Sequence, residues 1–286
     1  MATKKTKGSK AKTKKSTTKA AKVDKTNTVN KNSLISSLKK WNLLIAVLFA
    51  GQAAAILVMS KSVTLPVVAH FLAPDTLASQ GAGHTVMALA VRRLFDVNLA
   101  YLVAAFLLIS AGFHAIIATR ERSHYEADLK RGVNGLRWLE YGLTAGIMLA
   151  TIGLLNGIYD ASTLVAIFML VVLLHLLGYF GETNSVTMKA KAHSFIGLLV
   201  AGAGVWVAIA IYLKSAVIYG TGLSHYVYWI DGVIFTITLG LALNTLKVFR
   251  ANGKWADYLY GERIFMALSF VAKTALAWLI FAGFLR

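Results

Sequence analysis

The stretch ALSFVAKTALAW, residues 267 to 278, places a lysine inside an apolar run. A lysine at the centre of a membrane-length helix costs roughly 2.5 to 3.5 kcal/mol on insertion scales, so its presence asks for a compensating role. Lys273 stands eleven residues after Glu262, about 16 Å along a helix at 1.5 Å per residue, too deep for easy snorkelling to a surface. An amine held out of water gives up its proton readily. It is then a nucleophile toward an aldehyde and forms an imine whose nitrogen can be protonated again. Such a cation needs an anion, and Glu140 is the carboxylate best placed within an apolar run to supply it. Ser269 lies one turn before Lys273 on the same helix face, where its hydroxyl can bond the imine or share the carboxylate. His114 is the third good candidate among the ionisable side chains within apolar runs. Without an aldehyde, Lys273 and Glu140 would form a structural ion pair alone.

These residues need a frame, and composition supplies it. The chain is 57% hydrophobic with a mean hydropathy of +0.63, and its apolar residues fall in blocks rather than amphipathic stripes. Runs near 20 apolar residues span a bilayer. Seven occur, at 41–60, 98–119, 134–156, 162–180, 194–213, 226–248 and 262–285. The expected fold is an all-α membrane protein, a seven-transmembrane helix bundle occupying residues 41–286. The third helix is expected to start early, near Ala127, because Arg137 and Glu140 fall within the first two turns of its apolar run. The net charge of +18 suggests nucleic acid at first, yet thirteen lysines lie in residues 1–40 against one acid, Asp24. That segment has no aromatic residue and too little apolar surface to fold, so a disordered, lysine-rich cytoplasmic tail drawn to anionic lipid is expected, and no nucleic-acid partner. The absence of cysteine excludes a disulfide framework, a thiolate nucleophile and a thiolate metal site. No metal site is expected.

Orientation follows from the basic residues beside the spans. The tail, Arg120 to Arg131, Lys189 with Lys191, and Lys247 to Lys254 share one side, which is read as the cytoplasm. The N-terminus is then cytoplasmic and the C-terminus extracellular. The long connection between the first two spans holds a strand-like SVTLPVVAHF (62–71) and an amphipathic GHTVMALAVRRLFDV (83–97) with apolar residues at helical spacing. A structured outer loop is expected there.

The membrane-soluble aldehyde that suits Lys273 is retinal. GKWADYLYGERIFMALSFVAKTALAW (253–278) resembles the seventh-helix region of the heliorhodopsins, and RWLEYG (137–142) resembles their third-helix counterion motif. LISAGFHAIIA (108–118) and LLGYFGETNS (176–185) resemble the family's second helix and fourth-helix exit, so the likeness spans residues 41–286. The resemblance implies an all-trans retinal Schiff base on Lys273, Glu140 as counterion, and Ser110, Tyr141 and Ser269 lining the imine environment. It further implies a proton network containing His114 and Gln52, and Trp206 packed along the polyene or its ring. A homodimer, a lipid bilayer environment and an undefined cytoplasmic signalling partner also follow from it.

One departure stands out. The family commonly has a histidine three residues before the first-helix glutamine, and this chain has Phe49 in LFAGQ. The leading expectation is a light-sensing photoreceptor with a slow photocycle, not an enzyme and not a pump. The alternative is a light-gated proton conductance, since some viral members conduct protons. A transporter wants titratable groups from one surface to the other, and the outer half offers little beyond Asp160 and Asp231.

Overall fold

In a bilayer every backbone N–H must find its acceptor within its own segment, so long apolar runs become helices. The computed structural model describes residues 37–184 and 187–286. In chain order the elements are α1 (Ser37–Met59), β1 (Thr64–Asp75), α2 (Thr76–Ala82), β2 (Val86–Asn98), α3 (Leu99–Ala118), α4 (Arg122–Arg131), α5 (Gly135–Leu155), α6 (Ala161–Thr183), α7 (Met188–Tyr219), α8 (His225–Arg250) and α9 (Tyr258–Ile280). A 3-10 turn at Gly253–Ala256 precedes α9, and a π-helical turn at Phe281–Leu285 closes the chain. Seven of the helices, α1, α3 and α5 to α9, are long and apolar enough to cross a membrane. The protein is therefore an integral, multi-pass, mostly helical membrane protein. Residues 1–36 of the expected tail lie outside the described residues, while residues 37–40 belong to the first turn of α1.

Burial is uneven among the spans, and that unevenness locates the centre. In α5, 72% of the apolar window is buried inside the bundle, against 22% in α6, α7 and α8. The outer helices instead expose Val165, Met169, Val200, Val207 and Leu243, a surface that belongs against lipid chains. The helix carrying Glu140 is thus the axis around which the others stand.

Two sequence expectations are corrected here. The third span does not begin near Ala127: α4 ends at Gly132, whose φ of 78° is left-handed, and α5 starts afresh behind the N-cap Asn134, whose side chain accepts the Arg137 N–H at 3.0 Å. A glycine in that conformation followed by an asparagine cap makes a stop and a restart. The free α4 lies across the bundle end, burying Tyr125 and Leu129 against Leu38, Ile117 and Leu259. The second correction concerns residues 83–97, where a helix-like spacing is observed as strand β2. Val86, Ala88 and Ala90 alternate with more exposed neighbours, and the strand pairs antiparallel with β1 from Val86↔Asp75 to Asn98↔Thr64 across a bulge at Val67/Val68. A twelve-residue partner outweighs local helical spacing, because cross-strand side-chain packing along the whole pair favours the extended form.

The hairpin is rooted in the bundle rather than tethered to it. Val67 is buried in the main core, Val68 donates to the Tyr159 carbonyl at 2.9 Å, and Lys61 donates to the Leu285 carbonyl at 2.7 Å. Asp160 joins hairpin to helix: it caps α6 by accepting the Thr163 N–H at 2.9 Å and meets His70 of β1 at 3.1 Å. Hydrogen bonds from the Ser162 hydroxyl, the Thr163 N–H and His70 hold the Asp160 carboxyl well below the usual carboxylate range. Because the folded value lies below the unfolded one near 3.9, this stabilisation is complete above about pH 4 and is lost as pH falls further. Asp160→Ala is expected to cost about 1 kcal/mol at neutral pH. It should appear as faster deuterium exchange at the Thr163 and Val68 amides, with the difference from wild type shrinking in acid.

Candidate functional site

Three helices converge on one buried ion pair. Lys273 of α9 donates from Nζ to Glu140 Oε1 of α5 at 2.7 Å, and to Ser269 Oγ, one turn earlier on α9, at 2.6 Å. Ser110 of α3 donates to the same Glu140 oxygen at 2.5 Å. Thr144, one turn after Glu140, donates to the Glu140 carbonyl at 2.8 Å and lies 3.3 Å from Oε1. Lys273 is 2% exposed and Glu140 3%, so neither charge is shared with water. Breaking a pair so buried by deleting one partner typically costs about 3 to 5 kcal/mol, because the remaining charge is left uncompensated.

Aromatic rings close the remaining sides. The Lys273 ammonium lies 4.9 Å from the Tyr141 ring centroid and 5.7 Å from that of Phe49. Tyr141 is held by donating its hydroxyl to the Phe265 carbonyl at 2.7 Å. Phe49 is wholly buried, and its ring stands 6.0 Å from His114 and 5.4 Å from Phe270. The residue that departs from the family pattern thus sits between the lysine and the histidine and puts an apolar surface there.

The other sequence-derived candidates divide. His114 of α3 pairs through Nδ1 with Asn42 Oδ1 of α1 at 2.6 Å, and Asn42 donates in turn to the Leu38 carbonyl. Gln52 is placed elsewhere: it donates to Thr274 Oγ1 at 3.3 Å and accepts from Trp278 Nε1 at 3.1 Å, so it joins α1 to α9 apart from the histidine. Trp206 of α7 packs edge-on against Phe235 of α8, ring centroids 5.1 Å apart.

Sequence reasoning passed over a second ionic centre. Arg137 of α5 donates to Glu262 Oε2 of α9 at 3.0 Å and to Glu182 Oε1 of α6, and all three side chains are almost fully buried. Trp138 Nε1 donates to Glu182 at 2.8 Å, while Asn134 Nδ2 donates to Glu262 at 2.6 Å. The guanidinium also stacks 3.9 Å from the Phe265 ring centroid. The signal was present in three charged residues at the ends of three apolar runs, each ordinary for a membrane interface when taken alone. Only their meeting distinguishes them. Thr144 was legible more directly, as a hydroxyl four residues after a buried carboxylate.

The lysine stands on the last of the seven spans and faces a carboxylate on the third, and solved structures share the fold. The transmembrane domain of a rhodopsin phosphodiesterase from Salpingoeca rosetta superposes with a TM-score of 0.63 at 14% identity, covering 90% of this chain and 87% of that one. A light-driven proton pump from Leptosphaeria maculans gives 0.60 at 12% identity, covering 86% and 95%. Thermophilic rhodopsin from Rubrobacter xylanophilus gives 0.51 at 15% identity, covering 88% and 95%. Among curated proteins none matches this chain. The family model of the heliorhodopsins matches residues 38–285, and the chain belongs to that family. A retinal chromophore is what this family and fold imply. The donor set fits one: a buried primary amine, a carboxylate in contact with it, and two hydroxyls to complete the polar shell.

The close approach of α5 and α6 depends on glycines, among them Gly146 of α5 against Phe168 and Gly178 of α6 against Trp138. A Cβ on Gly178 would lie 2.3 Å from Trp138 Cζ3, so only glycine lets the indole lie flat enough to reach Glu182. Gly178→Ala is expected to destabilise by about 1 to 3 kcal/mol through overpacking. A lowered thermal midpoint, together with a changed Trp138 fluorescence, would report it.

Proposed function

We propose that the protein is a membrane photoreceptor that carries all-trans retinal on Lys273 as a protonated imine and signals by slow conformational change rather than by pumping. The observation that carries this reading is the 2.7 Å contact between Lys273 and Glu140 inside the bundle. Bound retinal supplies light absorption and isomerisation. The chain's own task is to hold one proton at the Lys273 nitrogen. Lys273 donates two of its three N–H groups here, to Glu140 and Ser269. A nitrogen bearing a chromophore keeps one N–H, and Glu140 is the partner whose charge claims it, which frees the Ser269 oxygen to accept from another donor.

An apolar plug supports sensing over conduction. Leu276, Ala277 and Ile280, the next two turns of α9 beyond Lys273, are wholly buried in one core with Ile56, Val103, Ile152 and Ile230. A proton path to Asp231, which is bonded only to Asn156 at 3.1 Å, would have to cross that layer. The light-gated conductance therefore stands second. No enzymatic activity is proposed, and the phosphodiesterase belongs to the Salpingoeca protein.

The same reading places the N-terminus in the cytoplasm and the C-terminus outside, on the distribution of lysine and arginine. It also includes a homodimer through the hairpin and neighbouring helix faces. The edge of β1 is partly taken by Tyr159 at Val68, so the strand offered to a second copy is β2, whose Leu89 and Val91 are 69% and 59% exposed.

Lys273→Ala protein is expected to remain colourless with all-trans retinal, and visible absorption from that variant would remove the assignment. Glu140→Gln should absorb at longer wavelength, because the dark-state cation loses its nearby anion; an unchanged spectrum would point to a different counterion. Under voltage clamp the wild type should pass no steady photocurrent. A current reversing with the proton gradient would replace the sensor by the conductance.

A further inference from the structure

The Arg137 centre is unbalanced. One guanidinium faces two carboxylates, so the buried cluster carries one negative charge more than it neutralises. The two carboxylates are not equivalent. Glu182 accepts from four donors: Arg137, Tyr258, Trp138 and the Asn134 N–H. Glu262 has fewer, Arg137 and Asn134 with the Tyr258 hydroxyl also in reach, and so retains lone pairs for a proton. Glu262 also lines a cavity of about 20 Å³ whose other walls include Glu140, His114, Asn42, Tyr125 and Arg137. Such a volume holds one water, for which about 10 to 15 Å³ suffices. Among the described residues the buried Arg137 Nε has no hydrogen-bond partner, a further reason for water at this place. The small space thus joins the Lys273–Glu140 site to a buried cluster with charge to spare.

We propose that Glu262 is a proton-binding site, the acceptor for the proton that leaves the Lys273 nitrogen after illumination, and that its protonation loosens α9. This rests on the retinal reading above. The proton passes from the nitrogen to the Glu140 carboxylate that it already contacts, then through one water in the cavity to a Glu262 oxygen. The nitrogen keeps its electron pair, Glu140 returns to carboxylate, and Glu262 becomes a neutral acid. Every titratable group facing Glu262 is accounted for: His114 from α3, Tyr125 from α4, Arg137, Glu140 and Tyr141 from α5, Glu182 from α6, and Tyr258 from its own helix. Burial and the nearby Glu262 charge push the Tyr125 phenol upward, so it stays protonated and does not compete as an acceptor. Once Glu262 is neutral, Arg137 and Glu182 form a balanced pair between α5 and α6, and the tie from α5 to α9 loses its charge. The helix released is the one that bears Lys273.

The test is light-minus-dark infrared spectroscopy of the full chain with all-trans retinal, in the carboxylic-acid stretch region. Wild type should gain a protonated-carboxyl band as the nitrogen loses its proton. Glu262→Gln, which keeps the Asn134 contact and leaves Arg137 balanced by Glu182, should lack that band and return to the dark state severalfold faster. Glu262→Asp should restore it. The same band in Glu262→Gln would overturn the proposal. A second measurement needs no pigment: pH titration of the retinal-free protein in the dark should show a titrating carboxyl that Glu262→Gln removes. Its persistence in the variant, or its absence from wild type, refutes the site by itself, whereas a wild type that forms no visible pigment refutes only the retinal reading.

Discussion

Everything in this bundle answers to a cation in the wrong solvent. An ammonium in an apolar helix is tolerated only where an anion and enough hydrogen-bonding groups replace water, and Lys273 has Glu140, Ser269 and, through Glu140, Ser110 and Thr144. That requirement draws α3, α5 and α9 to one point. It also explains why α5 is the most enclosed span: its carboxylate has to be withdrawn from lipid for the pair to be strong.

A second ionic knot, built around Arg137, ties α5 to α6 and α9 near the turn where α4 ends. Two buried centres on the same pair of helices make α5 and α9 a coupled unit. The first centre is balanced, and the second is not. An unbalanced buried cluster is responsive to a proton in a way that a balanced pair is not, since its charged form already carries a surplus to relieve. Phe49 sets an apolar ring beside both His114 and Lys273, while the water-sized cavity is lined by His114, Glu140 and Glu262.

The opposite end of the bundle is organised by packing. Leu276, Ile280, Ile152 and Ile230 fill the space beyond Lys273, and the β1–β2 hairpin seats Val67 on that core.

By itself the sequence determined the membrane class, the seven spans and the lysine–carboxylate pair. Each rests on a local cost, a run of apolar residues or a charge within one, that no tertiary arrangement can cancel. Lys273, Glu140 and Ser269 were legible because a buried charge announces its need for partners, whereas Ser110 came only with the family resemblance. Tertiary structure alone decided the rest. The helix spacing of residues 83–97 gave way to a strand because β1 was there to pair with it. The span expected from Ala127 broke at Gly132 because a left-handed residue and an asparagine cap let α4 fold across the bundle end. Gln52 went to Trp278 rather than to His114, a choice between faces of α1 that composition does not encode. Arg137, Glu182 and Glu262 look like three separate interfacial charges along the chain, 45 and 125 residues from Arg137 to its two partners. Their surplus charge exists only once three helix ends meet, because electrostatic balance is a property of the cluster and of no residue within it.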